Sequence, residues 1–185
     1  MLGYIDPAIE KMVGFRQNTI KERWDLWRHT TTALRDSESE DLIVNLSILF
    51  HAIGKTKVAN EDNTKFPEFE KASGEIAREV METLEFPEDQ IKRVENLVIL
   101  HKKLSEFTSE TSQDDFENLK IQIGDDFARL IAVTKADIKG SSTEVEEKLE
   151  VLDNVLNHFD KINKNKFYDS VSKDIEDIIG MVANG

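Results

Sequence analysis

The sequence predicts an all-α protein, a compact bundle of about seven or eight helices, and three observations predict it. Glycine and proline are scarce, at 8 and 3 in 185 residues, and few of them fall inside the periodic segments. Apolar residues recur at the i, i+3, i+4, i+7 spacing that lines one face of a helix. The ends of these segments carry helix signals: capping side chains, acidic first turns and a proline just outside. At 39% hydrophobic and 33% charged, the composition is globular. The length suits one domain over 1–185, with a helical core at 1–140 and a C-terminal helical extension at 141–185.

Asp6-Pro7 opens the first helix, with Asp as N-cap and Pro at the first helical position, and it ends near Gly14. A second helix is expected over about 22–35, with Trp24, Trp27, Thr31 and Leu34 on one side. A third, over about 39–52, presents Leu42, Leu46, Leu49 and Phe50 to a core. Residues 53–67 are polar, contain a proline and read as a loop. A loop beside a helix end is a common place for function. The fourth helix, about 68–84, shows Ala72, Ile76 and Val80, and Phe86-Pro87 marks its end. The fifth starts after Pro87 with Glu88 and Asp89 in its first turn, where the helix dipole favours them, and runs through Ile91, Val94, Leu97 and Val98 to His101. Residues 105–113 read as a Ser/Thr-rich loop. A helix at about 114–122 meets Gly124, and another at about 125–139 carries Phe127, Leu130, Ile131, Thr134 and Asp137. Gly140-Ser141-Ser142 reads as a linker. A helix at 143–161 shows Val145, Leu149, Leu152, Leu156 and Phe159, and a separate amphipathic stretch covers about 171–182.

The chain has no cysteine, which excludes disulfides and thiolate metal sites and fits a cytoplasmic protein. No run of about 18 apolar residues occurs, so no membrane span is expected. Met1-Leu2-Gly3-Tyr4-Ile5-Asp6 lacks a basic and an apolar region, so no signal peptide is expected. Net charge is −13, from 24 basic and 37 acidic residues. A field of that sign repels nucleic acid and makes DNA a poor partner. The charge is uneven, though. Lys55, Lys57, Lys65, Lys71, Arg78, Lys92, Arg93, Lys102 and Lys103 fall in one stretch. They form either a basic rim for a phosphate or an RNA end, or ordinary solvated helix faces.

Four histidines occur: His29, His51, His101 and His158. His29 lies in the second helix, His51 ends the third, and Asp137 sits in an apolar helical context beside Ala132, Val133 and Ala136. A buried carboxylate there needs a partner. Imidazole with carboxylate suits zinc, manganese, iron or cobalt, and such an ion would polarise a phosphoryl oxygen and activate water. The other reading of His51 and His101 is that of hydrogen-bonded core residues at the ends of apolar runs. His158 lies on an acidic helix and reads as structural or solvated.

The motifs resemble a known family over most of the chain. Val13-Gly14-Phe15-Arg16-Gln17-Asn18 is similar to Val-Gly-x-x-Gln-Asn, and Asp25-Leu26-Trp27-Arg28-His29-Thr30 to Asp-Val-Trp-x-His-Thr. His51-Ala52-Ile53-Gly54-Lys55 matches His-Asp-Ile-Gly-Lys at four of five positions. Phe66-Pro67-Glu68-Phe69-Glu70 falls where the pattern is Phe-Pro-x-His-Glu. Ser73-Gly74-Glu75-Ile76-Ala77 resembles Ser-Ala-x-x-Ala, Ala132-Val133-Thr134-Lys135-Ala136-Asp137 resembles Ala-Leu-x-x-Ala-Asp, and Val171-Ser172-Lys173-Asp174-Ile175 resembles Ser-Gly-x-Asp-Ile. These are the motifs of the C-terminal, HD-domain-bearing part of bacterial CCA-adding enzymes and poly(A) polymerases. The nucleotidyltransferase head is absent, so CCA addition is not implied.

The resemblance implies an HD-domain helical bundle and metal-dependent hydrolysis of phosphate esters. Its substrates would be nucleotides or the 2′,3′-cyclic or 2′-phosphate ends of RNA. By position, His29, His51 and Asp137 would bind a divalent metal (Mn, Zn, Fe, Ni or Mg). Lys55 and His101 would hold phosphate, with Lys57 and Lys102 as further substrate contacts. Three departures stand out. Ala52 occupies the position of the family's aspartate, which weakens or removes metal binding and slows the chemistry. Phe69 replaces a pocket histidine, and Lys21-Glu22 stand where many relatives have His-Pro. Two functions remain open on these residues: a phosphohydrolase impaired at position 52, and an inactive HD fold that binds a nucleotide, RNA or a protein. The oligomeric state is not legible in the sequence.

Overall fold

In the computed structural model, described for residues 6–19, 22 and 24–183, and for side chains as far as Lys164 together with Lys173, four helices begin at a side-chain cap, supplied by Asp6, Asp25, Asp41 and Ser112. Helix α1 (Pro7–Glu10) is a single turn whose N-cap, Asp6, accepts from Ala8 N–H. Helix α2 spans Leu26–Ser37, not 22–35, because Asp25 is extended and its carboxylate accepts from Arg28 N–H. The preceding chain is pinned to the start of α2, where Leu26 N–H donates to Phe15 O and Trp27 N–H to Met12 O. Asp41 caps α3 (Leu42–Phe50) through the Ile43 and Val44 N–H groups. The stretch expected as a loop over 53–67 contains one helical turn, α4 (Lys55–Val58). Helices α5 (Phe69–Thr83) and α6 (Glu88–Ser105) follow, with Glu88 and Asp89 in the first turn of α6. Ser112 caps α7 (Gln113–Ile123), and a 3-10 turn at Gly124–Asp126 leads into α8 (Phe127–Gly140). The two C-terminal segments expected at 143–161 and 171–182 are one continuous helix, α9 (Val145–Ala183). Nothing between them, neither Gly nor Pro, breaks the helix. The amphipathic face expected at 171–182 lies outside the described side chains.

Among the described residues there is no strand, only an isolated bridge between Arg16 and Asp25. Helix α5 packs on α6, α2 packs on α8, and α3 sits against both α6 and α8. Two buried faces differ from expectation. On α2 the buried residues include Leu26, His29, Thr30 and Ala33, while Trp24, Trp27, Thr31 and Leu34 are only half-buried. The bulky indoles lie at the edge, where Trp24 takes the Arg28 guanidinium at 4.6 Å from its ring centre. On α3 the core receives Ile43, Val44, Ser47, Ile48 and Phe50, and Leu42 is 53% exposed. That helix is apolar on nearly every side, so its spacing alone does not choose a face. The other expected faces hold: Ala72, Ile76 and Val80 on α5, and Ile91, Val94, Leu97, Val98 and His101 on α6, are buried.

Phe116 ties three elements together. It stacks on Phe159 of α9 at 4.0 Å and meets Phe127 of α8 at 5.6 Å edge to face. Burying each such ring contributes about 1.5–3 kcal/mol. This cluster holds α9 against α7 and the N-terminal end of α8. The α2–α8 crossing is close as well. A Cβ at Gly140 would stand 2.8 Å from the His29 carbonyl oxygen, so glycine lets α8 approach the helix that carries His29.

Candidate metal centre and cleft

Three helices deliver three ligating side chains to one point. His29 comes from the middle of α2, His51 from the residue after α3, and Asp137 from the last turn of α8. His29 Nε2 lies 2.9 Å from His51 Nε2 and 3.0 Å from Asp137 Oδ1, and His51 Nε2 lies 3.2 Å from the same oxygen. These ligand atoms all fall within 4.8 Å of one another, a group that could hold a metal ion. Both histidines are buried, while the Asp137 side chain is 25% exposed and opens to solvent.

The turn after α3 is rigidly placed. Gly54 N–H donates to the buried Ser73 hydroxyl at 2.9 Å, and a Cβ at Gly54 would collide with the backbone of α5 at Phe69 and Ser73. His51 Nδ1–H donates to Ile48 O at 2.6 Å, which turns Nε2 inward as a lone pair. His101 has the same arrangement. Its Nδ1–H donates to Val98 O at 2.7 Å, and its Nε2 faces Asp137 Oδ2 at 3.9 Å. Thr134 on α8 donates to the His101 carbonyl at 3.0 Å, holding α6 against α8 at this level.

Hydrogen counting shows what the cluster lacks. With neutral imidazoles, His51 brings no proton to the centre, and His29 brings one at most. Three acceptor atoms then share a single hydrogen at 2.9–3.2 Å. Such a cluster is completed by a cation, either a further proton or a metal ion, and two imidazoles with one carboxylate form a donor set for a transition metal. Burial lowers the His29 affinity for a proton, and burial pushes His101 down to about 4 against the opposing pull of Asp137. Burial alone would raise the Asp137 carboxyl, but the His29 and His51 imidazoles beside it outweigh that and hold it well below the usual carboxylate range. His29 and His101 are therefore held toward the neutral imidazole and Asp137 toward the ionised carboxylate, the forms that ligate metal.

A cleft of about 490 Å³ opens over this cluster, within the range of small-molecule sites. Gln17, Glu22, Lys55, Phe66, Phe69 and Lys102 line it together with Ser105, Ser141 and Lys148. A second cavity of about 400 Å³ continues along α9 and shares Asp137, Ser105, Ser141 and Lys148 with the first. Lys55 Nζ donates to Gln17 Oε1 at 2.8 Å and lies 4.6 Å from the Phe69 ring centre; Lys102 Nζ lies 5.1 Å from the same ring. Burial lowers the Lys55 ammonium, and the charge of Asp137 opposes that shift. Phe69 therefore carries two ammonium groups on its faces or edges instead of merely making the pocket apolar.

Of the residues expected from the sequence, His29, His51 and Asp137 are brought together. His101 stands at their edge, and Lys55 and Lys102 line the cleft. Ala52 is fully buried and belongs to the hydrophobic core. Lys57 is exposed, pairs with Glu75 at 3.3 Å and does not line the cleft. The expected basic rim is largely neutralised. Arg78 pairs with Glu82, Glu88 and Glu95, Lys92 with Glu88, Arg93 with Asp126, and Lys102 with Glu70. His158 is exposed and stacks edge-on against Phe159.

Seven residues lining the cleft were not assigned a role from the sequence: Gln17, Thr19, Glu22, Phe66, Ser105, Ser141 and Lys148. Gln17 lies in a quoted motif, so its position carried a signal. Glu22 stood only as a departure from the family pattern, while Ser141 and Lys148 reach the cleft because the expected linker at 140–142 turns the chain back over it, a direction that the local sequence does not carry. Lys21, its neighbour in that departure, lies outside the described residues. No protein-family model matches the chain, and no curated protein matches it.

Proposed function

We propose that this chain is an HD-type phosphohydrolase-like domain. Its His29–His51–Asp137 cluster would hold a divalent cation beside a phosphate-binding cleft. The substrate class is a nucleotide or an RNA-terminal 2′,3′-cyclic or 2′-phosphate, and the alanine at position 52 slows turnover. One observation carries this reading. Two Nε2 atoms and a carboxylate oxygen converge within 3.2 Å at the floor of a cleft lined by ammonium groups. Bound there, a divalent ion supplies Lewis acidity and an activated water. The donor set favours zinc, manganese, iron or nickel over magnesium, which prefers oxygen ligands. The chain's own groups do the rest. Lys55 and Lys102 neutralise phosphate charge, Phe66 and Phe69 offer an apolar wall for a base or sugar, and the buried His101 shields the inner side from water.

Ala52 favours a second reading. Its methyl group is fully buried in the core, and no carboxylate takes that position. On that reading the fold retains nucleotide or RNA-end binding, or docks a protein, without turnover. Metal content of the purified protein, followed by hydrolysis of a nucleotide and RNA-end panel by the wild type and Ala52→Asp, separates the two. The phosphohydrolase reading expects stoichiometric metal and turnover that rises in Ala52→Asp. Absence of metal and of hydrolysis in both proteins overturns it, and nucleotide binding measured by calorimetry without metal supports the second.

A further inference from the structure

Glu22 is not used by the chemistry above, yet its carboxylate is aimed at the back of a candidate ligand. Glu22 Oε2 lies 3.7 Å from His29 Nδ1, and the Glu22 side chain is only 10% exposed. His29 Nδ1 is itself buried and has no hydrogen-bond partner. A buried ring nitrogen without a partner is costly, and a carboxylate within a side-chain rotation of it is the group that would satisfy it. The other Glu22 oxygen accepts from Trp24 N–H at 3.2 Å, which anchors the side chain on the strap that precedes α2.

We propose that Glu22 is a positioning residue for the metal centre. It accepts a hydrogen bond from His29 Nδ1–H and so frees His29 Nε2 as a ligand. The inference rests on the metal-binding reading of the cluster. Its logic is one of tautomers. His51 and His101 have their Nδ1–H groups fixed by backbone carbonyls at 2.6 and 2.7 Å, so their Nε2 atoms are lone pairs from the start. His29 has no carbonyl in that role. Without metal, its single proton is drawn to Nε2, where Asp137 Oδ1 accepts it at 3.0 Å. Metal binding needs that proton on Nδ1 instead, and Glu22 is the acceptor waiting there. Carboxylates behind ligating histidines fix ring orientation and raise ligand basicity in this way. Charge gives a second reason. Two imidazoles and one carboxylate leave a divalent ion with a net positive charge in a buried place, and the Glu22 carboxylate brings the assembly to neutrality.

The test compares wild type, Glu22→Gln, Glu22→Ala and the exposed control Glu75→Gln, each stripped with chelator and titrated with Zn²⁺ and Mn²⁺ by calorimetry. Glu22→Gln is expected to bind about 10- to 100-fold more weakly and Glu22→Ala at least as weakly, with Glu75→Gln unchanged. Long-range ¹H–¹⁵N correlation spectra supply a readout that does not depend on activity. In metal-free protein, the minor His29 population that carries its proton on Nδ1 should fall further in both Glu22 variants. Wild-type affinity and an unchanged His29 tautomer in both variants would overturn the proposal. If the wild type takes up no metal, the metal-binding reading fails, while the tautomer spectra still decide whether Glu22 addresses His29.

Discussion

The two ends of α8 handle charge in opposite ways. At its N-terminal end, Arg129 reaches Asp41 at 2.7 Å and Asp126 at 2.6 Å, and Arg93 meets the second Asp126 oxygen at 3.3 Å. Burial alone would raise the Asp41 carboxyl, but the Arg129 guanidinium and the N-cap hydrogen bonds hold it below its ordinary value. Eight residues on, about 12 Å along the axis, Asp137 meets only two imidazoles and the edge of a third. The first cluster contains its own cations and ties α3 and α6 to α8. The second gathers the same kind of carboxylate around groups that carry no fixed charge. The same helix is thus stapled by arginine at one end and carries at the other a group that could hold a metal ion.

The largest expected effect separates these ends by metal. Asp137→Ala should weaken Zn²⁺ or Mn²⁺ binding by more than about 100-fold, beyond the loss typical of an outer partner, whereas Arg129→Met should leave it unchanged. Equal losses in calorimetry would show that the two ends are one coupled unit, and the contrast would break.

Acid should act mainly on the metal-free histidine end. His101 is pushed down to about 4 from 6.5 by burial, so between those values the unfolded chain binds a proton that the folded protein does not. Folding stability is therefore lost as pH falls through that window, by about 3 kcal/mol at its lower limit. The lowered Asp137 acts in the same direction further down, since its contribution is present above 3.8 and is lost as pH falls toward its folded value. Denaturant unfolding in chelator across pH 7 to 4 measures this. His101→Leu should flatten the upper part of the curve; an unaltered slope would place the titration elsewhere.

A smaller effect tests the arginine end. Arg129→Met removes the pairing partner of Asp126, a carboxylate that is 10% exposed, while Arg93 remains beside it. A loss of about 1–2 kcal/mol in urea unfolding is expected, because the Arg129 side chain is itself one third exposed and screened. The smallest effect belongs to Lys57. Its ion pair with Glu75 joins two groups that are each about half exposed, so Lys57→Ala should change stability by less than about 0.5 kcal/mol and leave phosphate binding in the cleft intact. A clear loss of phosphate binding would return Lys57 to the site.

The candidate ligands were named through the family resemblance; the apolar runs that end at His51 and are interrupted at Asp137 agree with it, while His29 carries no such local mark. Their meeting was expected only through that resemblance, and Glu22 behind them was not expected at all, since nothing local relates residues 22, 29, 51 and 137. The basic stretch from Lys55 to Lys103 read as a possible rim because a sequence shows charges and not their partners. Folding places a glutamate or aspartate against Lys57, Arg78, Lys92, Arg93 and Lys102. The buried face of α3 was misassigned for a related reason. With apolar residues on nearly all sides, period alone leaves the rotation free, and packing against α6 and α8 selects it.

By itself, the sequence determined the helical class and most of the segments that become helices, because these follow from local propensity and apolar period, while the candidate ligands were named through the family resemblance. Tertiary structure decided which helix faces are buried, which lysines reach the cleft, and that the Nε2 atoms of His29 and His51 converge on one Asp137 oxygen. Those outcomes depend on distances between segments far apart in the chain, and only packing sets such distances.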